Sequence, residues 1–109
     1  MALLCLMLHC LFGVLFGVRR VSGIEMEPSL SDGELVLFSR VFNYYSVGDA
    51  VIFEHDGSLS FSRIEAKSEE GYYLRNDNED SDVDSRTLGP VPADRLRGKV
   101  LSSLKVRNI

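Results

Sequence analysis

A mainly β fold behind one N-terminal apolar helix is what three observations on this sequence predict. Residues 2–18 are almost wholly apolar, interrupted only by His9. After Arg20 the pattern changes to short runs rich in Val, Ile, Leu, Phe and Tyr, punctuated by Gly, Pro and Asp. Within that part, Asp56-Gly57 lies between Phe53 and Leu59, a strong hairpin signal because both turn residues need positive φ. With 109 residues and a formal net charge of -4, the chain holds one domain at most and has little stability to spare. The expected division is a membrane anchor over residues 1–20 and a compact β-barrel or sheet domain over 21–109.

The leader, about seventeen apolar residues, sits at the lower limit for a transmembrane helix. A cleavable signal peptide is the competing reading, but a positive start and a small-x-small site before Arg19-Arg20 are both missing. Arg19 and Arg20 follow the helix, which by the positive-inside rule favours a cytoplasmic β domain. A basic flank upstream of the present first residue is expected to reverse that bias. Cys5 and Cys10 both fall in the leader, so the β part has no thiol and suits an oxidising exterior space. Together with His9 they read as lipid-facing or packing residues.

Residues 34–39 form an apolar run short enough for a buried strand. Tyr44 to Asp49 reads as a turn into a second strand over 50–54. The hairpin returns through residues 59–64, which include Ser62. Glu69-Glu70-Gly71 is another turn, leading into a strand at 72–75. Gly89-Pro90-Val91-Pro92 cannot continue a ladder and marks a loop. Residues 93–96 suit one helical turn and 99–104 a last strand. Several short strands with little helix imply a small antiparallel or mixed barrel-like sheet.

No basic stripe interrupts the mixed charges, which argues against nucleic acid as a partner. The acidic run Glu79, Asp80, Asp82 and Asp84 lacks the sixth-position Gly and distal Glu of an EF-hand. It reads as solvated loop charge, and neither a metal nor a cofactor is expected.

Four ordered segments carry a resemblance. Ser22-Gly23-Ile24-Glu25-Met26-Glu27-Pro28-Ser29-Leu30 comes first, then Tyr45-Ser46-Val47-Gly48-Asp49-Ala50-Val51-Ile52-Phe53. Phe61-Ser62-Arg63-Ile64 and the stretch from Asn76 to Gly89 complete the set. Together they resemble the type I signal peptidases, in a compact form with few residues between Ile64 and Tyr72. The resemblance implies a single-pass protein of the cell membrane, its β domain on the extracytoplasmic side. It places Met26 and Pro28 along a groove for extended polypeptide, together with Glu25 and Asp82. It also implies a structural Asp84–Arg86 pair and a supporting role for Arg63.

In that family a Ser hydroxyl attacks the scissile bond, activated by a neutral Lys amine. A Lys with an ordinary pKa of about 10.4 serves only when desolvated. Here Glu25 stands at the Ser position, Ser62 at the Lys position, and Asp82 where the family has a Ser that supports the Lys. A carboxylate is a poor attacker of amides and would repel an oxyanion of its own sign. Lys67, five positions beyond Ser62, falls on the opposite side of a strand. The expectation is a pseudo-peptidase, related to members that lack the dyad, which binds extended polypeptide or an exported protein and assists export or pilus assembly. Pilin and sortase are the partners that comparison suggests. The alternatives are an active signal peptidase using Ser22 or Ser29, and a Glu25/Asp82 pair sharing a proton in the manner of aspartic proteases.

Overall fold

Val51, Ile52 and Phe53 are consecutive and all buried, so the strand that carries them has protein packed on both faces. In the computed structural model, which describes residues 2–40, 45–80 and 84–105, this strand is β3 (Ala50–His55). The other elements are α1 (Ala2–Leu15), β1 (Phe16–Arg20), β2 (Leu35–Ser39), β4 (Ser58–Ser68), β5 (Gly71–Arg75), α2 (Ser85–Leu88) and β6 (Leu96–Leu104). A single 3-10 turn, Ala93–Arg95, precedes β6. The six strands form one antiparallel sheet in the order β1-β2-β6-β3-β4-β5.

Alternation along β3 divides the core in two. Ile52 packs with Val21, Met26, Leu30, Val36, Phe38 and Phe61. On the other face Val51 and Phe53 pack with Tyr45, Ile64, Leu74, Val91 and Leu96. The first cluster is closed by the irregular segment after β1, the second by the loop carrying Val91. That loop is tied to the β5 edge by hydrogen bonds in both directions between Tyr72 and Val91.

The hairpin forms as the sequence predicts, with Asp56 at φ 50° and Gly57 at φ 77° joining β3 to β4. Strands appear at all the expected places, although β4 and β6 run longer than their apolar patterns. Pairing with β3 and β5 carries β4 out to Ser68. Contacts with both β2 and β3 extend β6 from Leu96 to Leu104.

The N-terminus corrects the sequence reading. The helix expected through Val18 ends at Leu15, and Phe16–Arg20 enter the sheet as β1. Fourteen helical residues span about 21 Å, short of the ~30 Å hydrocarbon core of a bilayer. No helix among the described residues is long and apolar enough to cross a membrane. Local chemistry explains the stop. The Arg40 guanidinium donates to the Gly13 and Phe16 carbonyls at 2.6 and 2.7 Å, and the Arg40 N–H donates to the Leu15 carbonyl. These bonds satisfy acceptors at the helix end, while Phe16 to Arg20 pair in register with Ser39 to Leu35.

Gly98 lies beneath the Phe38 ring, and a Cβ there would come 2.6 Å from Phe38 Cδ2 and 3.3 Å from the Ser39 carbonyl oxygen. Gly98→Val is therefore expected to destabilise the chain by about 1–3 kcal/mol through overpacking, seen as a lower urea midpoint with an unchanged slope.

Candidate functional site

Residue 25 belongs to a segment without regular structure, and several polar anchors hold it in place. The Gly23 N–H donates to Asp32 at 2.9 Å. From the other side, Asn78 donates through its backbone N–H to the Glu25 carbonyl and through Nδ2 to the Ile24 carbonyl, both at 2.9 Å. Within the segment the Leu30 N–H bonds the Met26 carbonyl at 2.8 Å. Gly23 is needed here: its φ is +111°, and a Cβ would strike the Glu25 carboxylate, which folds back over it.

Glu25 is half-buried and faces a cavity of about 50 Å³. From β1 come Arg19 and Arg20, from β4 come Leu59, Ser60 and Phe61, and Ser22 completes the lining. Among the described residues the Glu25 carboxylate forms no hydrogen bond and no ion pair, even with these two arginines. Met26 is 1% exposed and belongs to the core, not to the cavity wall, because Ile52 and Phe61 take up its side chain. Pro28 is exposed and follows a cis peptide bond. Asp82 lies outside the described residues.

Ser62 is fully buried, and its Oγ has no hydrogen-bond partner among the described residues. It pairs in register with Val51, while neighbouring Phe61 pairs with Ile52 and reaches the cavity. Ser62 does not line the cavity that holds Glu25.

The chain has three lysines. Lys67 is exposed, its Nζ 5.7 Å from the centre of the Tyr72 ring. Lys99 stands 3.2 Å from Asp49 in an ion pair. Lys105 is exposed. None of the three lines the Glu25 cavity.

Charged groups around the site are tied into the frame. Arg63 forks onto Asp77 with bonds of 2.9 and 2.8 Å and gives a third to the Gly48 carbonyl. The Arg63 hydrogen bond, helped by one from Ser29, holds the Asp77 carboxyl below the usual carboxylate range against the opposing effect of burial. Asp84, 0% exposed, caps α2 by accepting from the Arg86 N–H and also binds the Arg86 guanidinium and the Asn76 N–H. Burial alone would raise its pKa, but these donors outweigh it and the net shift is downward. The acidic run forms no metal cluster among the described residues.

Sequence reasoning singled out Arg63, Asp84 and Arg86 but assigned no role to Asp77 or Asn78. Both fall in the Asn76-Asp77-Asn78 run, where a carboxylate and an amide beside a strand end were the available signal. Arg19, Arg20 and Ser60 were missed because only the sheet register brings β1 and β4 against residue 25.

A family described as Peptidase S24-like matches residues 15–96. The chain is 30% identical over 118 residues to mitochondrial inner membrane protease subunit 1 of Mus musculus and 29% identical over 118 residues to the Homo sapiens protein of that name. Each match covers 84% of this chain and 71% of the relative. The alignments exceed the 109 residues of this chain, so the relatives carry residues within the matched stretch that it lacks.

Three outcomes test the frame. Asp77 and Asp84 both have depressed values, so each adds stability that is complete above about pH 4 and is lost as pH falls through the folded value. The urea midpoint should be flat from pH 8 to 5 and drop in stronger acid, with a shallower drop in Asp77→Asn. Asp84→Ala should cost about 3 kcal/mol at neutral pH, since it removes the acceptor of two backbone donors and one partner of the Arg86 guanidinium. By contrast, Ser62→Ala removes an unpartnered buried hydroxyl and should leave the midpoint unchanged or raise it.

Proposed function

The chain belongs to the Peptidase S24-like family, whose members include signal peptidase I-like proteins, and from that premise we propose that it is a membrane-associated pseudo-peptidase that holds extended polypeptide without cutting it. The observation that carries this reading is the state of the reactive positions. By motif order we assign Glu25 to the nucleophile position and the buried Ser62 to the base position, and each lysine is exposed or ion-paired elsewhere. A serine/lysine mechanism needs an amine lone pair beside a hydroxyl. Loss of both partners costs on the order of a million-fold in turnover, by analogy with disabled protease triads.

Polypeptide binding survives such a loss because it depends on the frame. Among the described residues β1 is an edge strand, paired with β2 alone, and its Arg19 and Arg20 border the Glu25 cavity. An extended chain added along that edge would gain backbone hydrogen bonds and pass position 25. In this proposal the groove residues are Glu25, Asp82 and the surface around Pro28, while Arg63, Asp84 and Arg86 are structural.

Membrane association is supported by the relatives, named as inner membrane proteins, and by α1. Its Leu3, Leu6, Met7, Leu11, Phe12 and Val14 are all more than half exposed, a surface suited to lipid. An apolar groove lined by Val18, Leu35, Leu37 and Leu104 continues that surface onto the sheet. We place residues 1–20 at the membrane and the β domain on the extracytoplasmic side. The partner is an exported polypeptide; the relatives lend no support to pilin or sortase.

An active signal peptidase is the second reading, favoured by the word protease in the relatives' name. The full chain in detergent micelles, incubated with a signal-peptide-bearing precursor, separates the two. The unaltered chain should retain the precursor on a pull-down and leave it whole, while a Glu25→Ser, Ser62→Lys double variant should cut it. Cleavage by the unaltered chain would overturn the proposal.

A further inference from the structure

We propose that the Glu25 cavity receives a primary ammonium group carried by an extended polypeptide, either an N-terminal amine or a lysine side chain. The inference rests on the polypeptide-binding reading above and gives that site its chemistry.

The Glu25 carboxylate is half-buried, clamped through its backbone by Asn78, and without a hydrogen bond or ion pair among the described residues. A half-buried anion left in this state gains from a charged donor, since such hydrogen bonds are about twice as strong as neutral ones. Size admits the donor. A cavity of about 50 Å³ has room for a water-sized group, so a compact ammonium fits.

The lining matches the donor count. An ammonium has three N–H donors and no acceptor. Glu25, Ser22 and Ser60 offer a carboxylate and two hydroxyl oxygens around the same space. Arg19 and Arg20 border it as well, but both are exposed, so water and salt screen them more than they screen the half-buried carboxylate. Their place on the edge strand puts the cavity beside the line an added peptide would follow.

Three peptides of one extended sequence test this: a lysine-free peptide with a free N-terminus, the same peptide N-acetylated, and an N-acetylated peptide with one lysine. Binding to the full chain in micelles is measured by fluorescence anisotropy. At least one ammonium-bearing peptide should bind about tenfold tighter than the acetylated, lysine-free one, and which one does so identifies the source. Glu25→Gln should abolish that preference. Equal binding of all three, or a preference that persists in Glu25→Gln, overturns the inference and leaves polypeptide binding standing. Failure of every peptide to bind overturns both.

Discussion

The fork between Arg63 and Asp77 is the contact on which the geometry of the site depends. Arg63 sits in β4, and its three bonds reach the segment after β5 and the turn before β3. Asp77 is flanked by Asn76, whose N–H binds Asp84, and by Asn78, which binds residues 24 and 25. One bidentate pair thus fixes a short run of chain that faces α2 on one side and the candidate site on the other. Bidentate pairing suits this task because the planar guanidinium sets direction as well as distance.

That arrangement separates stability from chemistry. The clamps on the Glu25 segment use backbone groups of residues 23 to 25 together with the side chains of Asp32 and Asn78. Neither the Glu25 carboxylate nor the Ser62 hydroxyl takes part in them. A frame held in this way depends little on which polar side chains stand at positions 25 and 62. The unpartnered Ser62 hydroxyl is consistent with a position that does not depend on its polar atom.

Much of the sheet was legible in the sequence because its signals are local. The Asp56-Gly57 turn, the Val51–Phe53 run and the Gly-Pro break before β6 each act over a few residues. The extent of α1 was not legible, since hydropathy does not register Arg40, a side chain more than twenty residues away that binds the carbonyls where the helix ends. Nor does an apolar run reveal that Phe16 to Arg20 find a partner strand in β2. At the site, motif order alone drew attention to positions 25 and 62. Their surroundings were not, because Arg19, Arg20 and Ser60 meet Glu25 through register.

Lys99 shows how a lysine near the site is committed to the frame of the sheet. In register it lies beside Val51 on one side and Ser39 on the other, and Val51 in turn neighbours Ser62. It is therefore the lysine whose backbone comes nearest to two buried hydroxyls. Its ammonium is engaged by Asp49, whose same carboxylate oxygen also accepts from the Ser46 N–H and closes the turn into β3. An amine donating to a carboxylate offers no lone pair to a serine. Releasing it would mean giving up Asp49, and with it a bond that sets the entry to the central strand. Lys99 is thus bound into the frame of the sheet and does not serve either hydroxyl.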